Sequence, residues 1–306
     1  MSLLVVGSVA LDSLKTPFGE RMEVLGGSAT HFSISASFFT QVYLVGVVGE
    51  DFPREHIRLF QSHNVDVRGL QIREGKTFRW SGSYLNNINE AETLKTELNV
   101  FQEFKPDIPE AYQSRPYVFL ANIDPELQQY VLRQVKKPKL IACDTMNFWI
   151  KGKREALLET FKSVDMLVIN EAETKELAQE SNLVKAAKII LKWGPRYLIV
   201  KRGEYGVLLV APSGIFAAPA YPLESVVDPT GAGDTFAGGL MGFLASQSQH
   251  NHFEEKLLRQ GVIMGSVMAS FNVEDFSLER LKSLSMPEIK QRFDDFKNLT
   301  HFEAIA

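Results

Sequence analysis

Short apolar, β-branched runs recur along this chain, at residues 3–6, 42–48, 117–120, 140–143, 166–169, 197–200 and 207–210. Several are apolar almost throughout, as strands covered on both faces are; a strand with one face in water alternates instead. Helical stretches separate many of the runs, at 28–39, 54–63, 125–134, 154–163 and 171–180. This alternation predicts an α/β chain with a mostly parallel central sheet flanked by helices. Two segments break the pattern. Residues 14–25 hold a short turn at Pro17-Phe18-Gly19, and residues 76–101 alternate in the manner of antiparallel strands. They read as a small β-sheet inserted into the α/β body, or as an ordinary surface hairpin pair. The last third is helical, at 235–245, 253–269 and 277–298.

Composition narrows the classes of function. The net charge is −4, which leaves no basic footprint for nucleic acid or an anionic membrane. One cysteine, Cys143, excludes an intrachain disulfide and any multi-cysteine metal site. It lies in an apolar run and reads as a buried structural thiol. No apolar stretch reaches the roughly 20 residues that span a bilayer, and the first residues lack a basic signal region. These features predict a soluble, cytoplasmic protein. His250 and His252 lie in a polar loop with no third ligand nearby, so they read as solvated rather than as a metal site.

The densest chemical signal is Val227-Asp228-Pro229-Thr230-Gly231-Ala232-Gly233-Asp234-Thr235-Phe236-Ala237-Gly238-Gly239. It reads as an extended segment, a tight glycine turn and a helix that begins near Asp234. Glycines at 231 and 233 let backbone amides face open space. The helix N-terminus behind such a turn attracts anions, because its first amides lack intrahelical partners and the dipole favours negative charge. A carboxylate beside an anion hole suits transfer of a phosphoryl group to an alcohol. Asp234 as a plain helix cap is the alternative.

The full string resembles the C-terminal signature of the PfkB carbohydrate kinases, the ribokinase-like family. The resemblance runs from Gly7 to about Phe276, with its elements in the family's order. It implies one ribokinase-like, Rossmann-like α/β domain over residues 1–306. In that family the small sheet, here about 14–25 and 76–101, is a lid over the sugar site and sometimes a dimer contact. The protein is therefore expected to work as a monomer or a lid-mediated homodimer.

The remaining motifs fall around this frame. Asp12 follows the first strand, at the ligand crevice of an open α/β sheet; in the family the matching Asp holds sugar hydroxyls. Gly26-Gly27-Ser28-Ala29-Thr30-His31 opens a helix with a second glycine turn, and Gly26, Gly27 and His31 are expected at the substrate. The family usually has Asn where this chain has His31. Ribose-binding members have Asn at the position of Ala10 and Glu at that of Asn122, so these departures argue against ribose. Asn122 remains a candidate acceptor contact. The turn Gly49-Glu50-Asp51 is expected to be structural, and Asp144 is similar to an Asp near the phosphate path in relatives.

Asn170-Glu171-Ala172-Glu173 matches a motif that organises magnesium through water, with Asn170 also near the nucleotide. Glu173 reads equally as a capping-box partner. Lys201, Gly203 and Gly206 resemble the strand–turn beside the nucleotide phosphates, although an exposed lysine is often only solvated. Gly265 and Ala269 resemble the adenine-side helix, or else serve close helix packing. Asp228 and the backbone of Thr230 match positions where some relatives bind a monovalent cation, which implies potassium activation.

The resemblance implies an ATP- and Mg²⁺-dependent kinase. Asp234 would be the general base, with the Gly231 turn and the amides of Ala232, Gly233 and Asp234 holding the phosphoryl oxygens. The expected acceptor is a primary hydroxyl of a small sugar or sugar acid. A nucleoside is the alternative, since Phe32, Phe78, Trp80, Phe148 and Trp149 can stack on a base or simply pack the lid. A sugar- or nucleotide-binding regulator without turnover is a third reading, opposed by the intact Asp234 and glycine turn.

Overall fold

The computed structural model describes residues 1–86, 88, 91–247, 254–301 and 303. His250 and His252 lie outside the described residues. The strands are β1 (Ser2–Val6), β2 (Ala10–Thr16), β3 (Gly19–Gly26), β4 (Gln41–Gly49), β5 (Val65–Arg73), β6 (Phe78–Ser83) and β7 (Glu92–Glu97), followed by β8 (Tyr117–Leu120), β9 (Leu140–Cys143), β10 (Met166–Asn170), β11 (Tyr197–Lys201), β12 (Val207–Ala211) and β13 (Gly214–Ala218). Nine of these form the main sheet, in the order β13-β12-β11-β10-β9-β8-β1-β4-β5. From β11 to β5 the pairing is parallel. The β11–β12 and β12–β13 pairings, at one edge, are antiparallel.

The central strand β1 explains why its sequence does not alternate. Leu3 and Val5 belong to one apolar cluster, Leu4 and Val6 to another, and all four are fully buried. Successive residues point to opposite faces, and helices cover both. Val6 pairs with Val45 on one side and Leu120 on the other. Strand order reverses between β1 and β8, because the chain first winds outward through β4 and β5 and later returns through β8 to β11. The crevice at the carboxyl ends of such a pair is where open α/β sheets bind ligands.

The small sheet has the order β3-β2-β6-β7. Strand β2 pairs antiparallel with β3 around the Pro17-Phe18-Gly19 turn and parallel with β6, with Asp12 opposite Trp80. The sheet begins at Ala10, earlier than residue 14. Asp12 therefore lies within a lid strand and not in a loop past β1, as the sequence had suggested. The cause is local: β1 ends at Val6, and the Ser8 hydroxyl then takes the amide of Ser28 at 3.0 Å, turning the chain onto the start of the helix Ser28–Ser37. Asp51 ties the other lid segment to the body. Its carboxylate accepts from the Thr77 amide and hydroxyl, each at 2.7 Å, and pairs with Arg79 at 2.8 Å.

Two strands went unread in the sequence, β5 and β13, and both are sheet edges. Strand β5 keeps polar residues such as Asp66, Arg68 and Arg73, so no continuous apolar run marks it, and β13 is a short, mostly exposed strand of mainly small residues with one β-branched side chain, Ile215. The single helix expected over 277–298 is broken into Glu279–Lys282 and Met286–Thr300. Ser285 and Glu288 form a capping box there, and Pro287 sits in the first turn of the new helix, where proline is tolerated.

Phe32 and Phe119 stack across the helix–sheet interface with centroids 4.2 Å apart, both fully buried. Replacing Phe32 by alanine removes a large ring from a site that cannot collapse. The expected loss is about 3–5 kcal/mol of unfolding free energy, read from urea titration. A loss below about 1 kcal/mol would place the stack outside the cooperative core.

Candidate active site

The glycine turn is held from behind. Asp228 is fully buried and accepts the amides of Thr230 and Ser277, one on each oxygen, both at 2.9 Å. Gly231 has φ +71°, and a Cβ there would lie 2.3 Å from the His31 ring. Only glycine suits that backbone and that contact. The helix Ala232–Gln247 follows, with Asp234 as its third residue rather than its cap. Three free amides were expected, but Ala232 donates to the Pro229 carbonyl at 3.2 Å. Among the described residues the amides of Gly233 and Asp234 have no such partner. Two donors thus remain at the positive end of the helix.

His31 serves this turn directly. Its Nδ1 lies 3.1 Å from Oδ1 of Asn272, which also accepts from the Thr235 hydroxyl at 2.9 Å. The Asn272 side-chain nitrogen donates to the Thr230 carbonyl at 2.8 Å. An amide oxygen only accepts, so Nδ1 of His31 carries the proton. Burial lowers the ring's pKa and keeps it neutral. One nitrogen of His31 is thereby committed to bracing the glycine turn. Asn272, the hub of this network, went unnoticed in the sequence, because nothing in the motif string marks it.

On the acceptor side, Asp12 is 5% exposed and accepts the Gly27 amide. Burial pushes its pKa up to about 7, offset by that amide and reinforced by the negative charges of Asp228 and Asp234. Gly27 has φ +96°, and a Cβ there would lie 2.5 Å from the Ser8 carbonyl. At Gly26 a Cβ would meet the Asp12 carboxylate itself. Asn122, just past β8, accepts from Trp149 Nε1 at 3.0 Å. Tyr84, at the end of the lid strand β6, accepts from the Thr230 hydroxyl at 3.1 Å, and burial raises its phenol to about 12. This contact between lid and glycine turn was also missed, since a lone tyrosine gives no signal.

Behind Asp234 lies a charge cluster. Lys201, at the end of β11, is 3.5 Å from Asp144, and its Nζ sits 2.7 Å from where a Cβ on Gly233 would be. Burial works against its charge, yet Asp144, Glu173 and Asp234 together raise its pKa. Lys201 is therefore not a solvated surface lysine. Asp234 is pushed up to about 7 by burial and then by Asp144, with Lys201 opposing. Glu173 is likewise raised to about 7, by burial first and Asp144 second. Asn170 and Glu173 do form a capping box: the Asn170 amide donates to Glu173 at 2.9 Å, and the Glu173 amide to Asn170 at 2.8 Å. The box occupies one carboxylate oxygen of Glu173.

A cavity of about 320 Å³ opens beside these groups. Lys201, Gly203, Gly206 and Ala269 line it, together with Ala232 and Gly233 of the turn. Its other walls are largely apolar and include Tyr221, Leu223 and Phe236. Gly265 is not among the lining residues. A Cβ there would meet the Phe236 carbonyl at 2.8 Å, so this glycine serves helix packing. A mostly apolar cavity with Lys201 and the Gly233 backbone in its wall suits a nucleotide.

A sequence model described as pfkB family carbohydrate kinase matches residues 8–280. The chain belongs to that family. A cytidine kinase of Thermococcus kodakarensis is 33% identical over 263 residues, which is 83% of this chain and 91% of the relative. An aminoimidazole riboside kinase from Salmonella enterica, solved with aminoimidazole riboside and an ATP analogue, has a TM-score of 0.74 at 18% identity, covering 96% of this chain and all of that one. A Vibrio cholerae fructokinase double mutant, solved with fructose, ADP and a potassium ion, has a TM-score of 0.79 at 15% identity, covering 95% and 98%. This pfkB-type kinase is thus an ATP-dependent phosphotransferase with an alcohol acceptor, and its fold is the ribokinase-like one. No helix among the described residues is long and apolar enough to cross a membrane.

The divalent ion that such kinases use fits the residues present. Asp144 and Glu173 are buried carboxylates with Lys201 as their shared counter-charge. Among the described residues no group of three side chains forms a closed metal cage. A hard cation held mainly by water and phosphate, with Asn170 and Glu173 in its outer shell, suits that arrangement.

Three outcomes are expected. Asp234→Asn should lower kcat by roughly 10²–10⁴ while ATP still binds, and wild-type kcat/KM should rise with pH until about 7, where Asp234 ionises. Retained turnover in the variant would remove Asp234 from the chemistry. For Asp12 the folded pKa lies near 7, above the ordinary 3.8, so its buried charge costs stability as pH rises through that window. Asp12→Asn should therefore raise Tm more at pH 8 than at pH 5, and equal gains would contradict the burial argument.

Proposed function

We propose that this kinase transfers the γ-phosphoryl group of ATP to the primary 5′-hydroxyl of a nucleoside, with cytidine the leading acceptor. The observation that carries the reading is the likeness to the Thermococcus cytidine kinase along most of both chains. Composition and motifs alone had favoured a sugar. The departures at Ala10, His31 and Asn122 from the ribose-binding pattern agree with a different acceptor. Trp149, oriented by Asn122 at the crevice beside β8, offers an aromatic surface that a free sugar does not need.

In this reading Asp12 and the Gly26-Gly27 turn hold the ribose hydroxyls. Asp234 accepts the proton of the primary hydroxyl as that oxygen attacks the γ-phosphorus. The bond to the β–γ bridging oxygen breaks and ADP leaves. The Gly233 and Asp234 amides stabilise the equatorial phosphoryl oxygens, and Lys201 adds positive charge beside them. When bound, the divalent ion neutralises the β and γ phosphates. Lid closure excludes water, a competing nucleophile. Monovalent activation is read onto the Asp228–Thr230 turn, with the potassium of the fructokinase structure in its support.

The test is ADP release with Mg-ATP against cytidine, uridine, adenosine, inosine, guanosine, ribose, fructose and keto-deoxy acids, beside Asp234→Asn. Turnover on a nucleoside that collapses in the variant is expected. Turnover on a sugar or sugar acid with every nucleoside inert would overturn the acceptor. Replacing potassium by tetramethylammonium should lower the rate several-fold, and an unchanged rate would end the potassium reading.

A further inference from the structure

One side chain of the helix Met286–Thr300 reaches the cavity wall. The Arg292 guanidinium lies 3.5 Å from the centroid of Phe271 and 4.7 Å from that of Tyr221. It donates to the Ser270 hydroxyl at 3.2 Å and pairs with Glu274 at 2.7 Å. Its side chain is 16% exposed. Tyr221 and Ser270 both line the cavity.

The two wall residues depend on this arginine to different degrees. Ser270 belongs to the helix Glu255–Asn272 and already donates to the Val267 carbonyl at 2.7 Å. Tyr221 stands in a segment without helix or strand, so no backbone ladder fixes it. Beyond its packing on the apolar core, its hydrogen-bond and ring contacts among the described residues come from one helix: Arg292 over its ring, Asp295 at 3.4 Å from its hydroxyl, and Phe296 with ring centroids 5.5 Å apart. A planar guanidinium can stack on rings while its edge donates to Ser270 and Glu274, which a lysine ammonium cannot do.

We propose that Arg292 is a positioning residue for the phosphate donor: it fixes Tyr221 and Ser270 as the wall of the nucleotide cavity from the helix Met286–Thr300. The proposal rests on the reading of that cavity as the ATP site.

The experiment combines steady-state kinetics with calorimetric binding of ATP and ADP to the full chain. Arg292→Ala should raise the KM for ATP and the Kd for nucleotide about tenfold, leaving kcat and the acceptor KM within about twofold. Arg292→Lys keeps the charge facing Glu274 but not the stacked plane, and should recover only part of the loss. Arg292→Met keeps an apolar stem against Phe271 and carries the same expectation if the alanine variant proves too unstable to assay. An ATP KM within twofold of wild type, or ATP and acceptor KM rising together, would overturn the assignment. Ala269→Trp separates the two readings, because it fills the cavity. Nucleotide binding retained in that variant would overturn both the cavity assignment and the role of Arg292. Binding lost there but intact in Arg292→Ala would overturn the role of Arg292 alone.

Discussion

The site depends on how closely three helices approach one another. The helix Ala232–Gln247, which carries Asp234, is buried along most of its length. Its glycines make this possible. A Cβ on Gly238 would meet the Phe32 carbonyl at 2.4 Å, one on Gly242 the Ala36 backbone at 2.8 Å, and one on Gly239 the Met268 side chain at 2.7 Å. Backbone therefore rests on backbone and leaves no slack for sliding. The same contact lets His31 reach Asn272 and Gly231 lie against the His31 ring. The position of Asp234 is thus set by packing about one to two turns further along its own helix.

The second organising feature is a shortage of positive charge. Asp12, Asp144, Glu173 and Asp234 are all buried enough that their charged forms are disfavoured. For the last three, Lys201 is the cation among the described residues that favours the charged form. An apolar site would carry no such load. Carboxylates held near neutrality ionise when a cationic partner arrives, so binding and proton release are coupled. Asp144 contributes by raising Asp234 and Glu173 while neutralising Lys201, a role that spacing along the chain does not reveal.

How much was legible followed from where each signal lives. The central strands were plain because burial on both faces leaves unbroken apolar runs, as in β1 and β8. The edges β5 and β13 were not: solvent on one side permits the polar residues of β5, and β13 is five residues of glycine, alanine, one isoleucine and one phenylalanine. The glycine turn, Asp234 and the capping box of Asn170 and Glu173 were readable because each is local in sequence. Asn272, Tyr84 and Arg292 were not, since their meaning lies in contacts 37 to 241 residues apart, or in rings brought together by tertiary structure. Gly265 illustrates a residue whose two sequence readings, nucleotide side or helix packing, stay open locally, while the structure gives it a close contact with the Phe236 carbonyl.

Asp12 is a residue of the lid sheet, paired in register with Trp80 and Val24, while Asp234 belongs to the body. A molecule that hydrogen-bonds to one and is deprotonated by the other spans a mechanical joint. In the proposed reading it would be latch as well as cargo: its hydroxyls would add a further link between lid and body beside those of Tyr84 with Thr230 and of Asp51 with Thr77 and Arg79. Recognition and closure then draw on the same few hydrogen bonds. An acceptor lacking one of the hydroxyls would be bound less tightly and would also leave the joint looser at the moment of transfer.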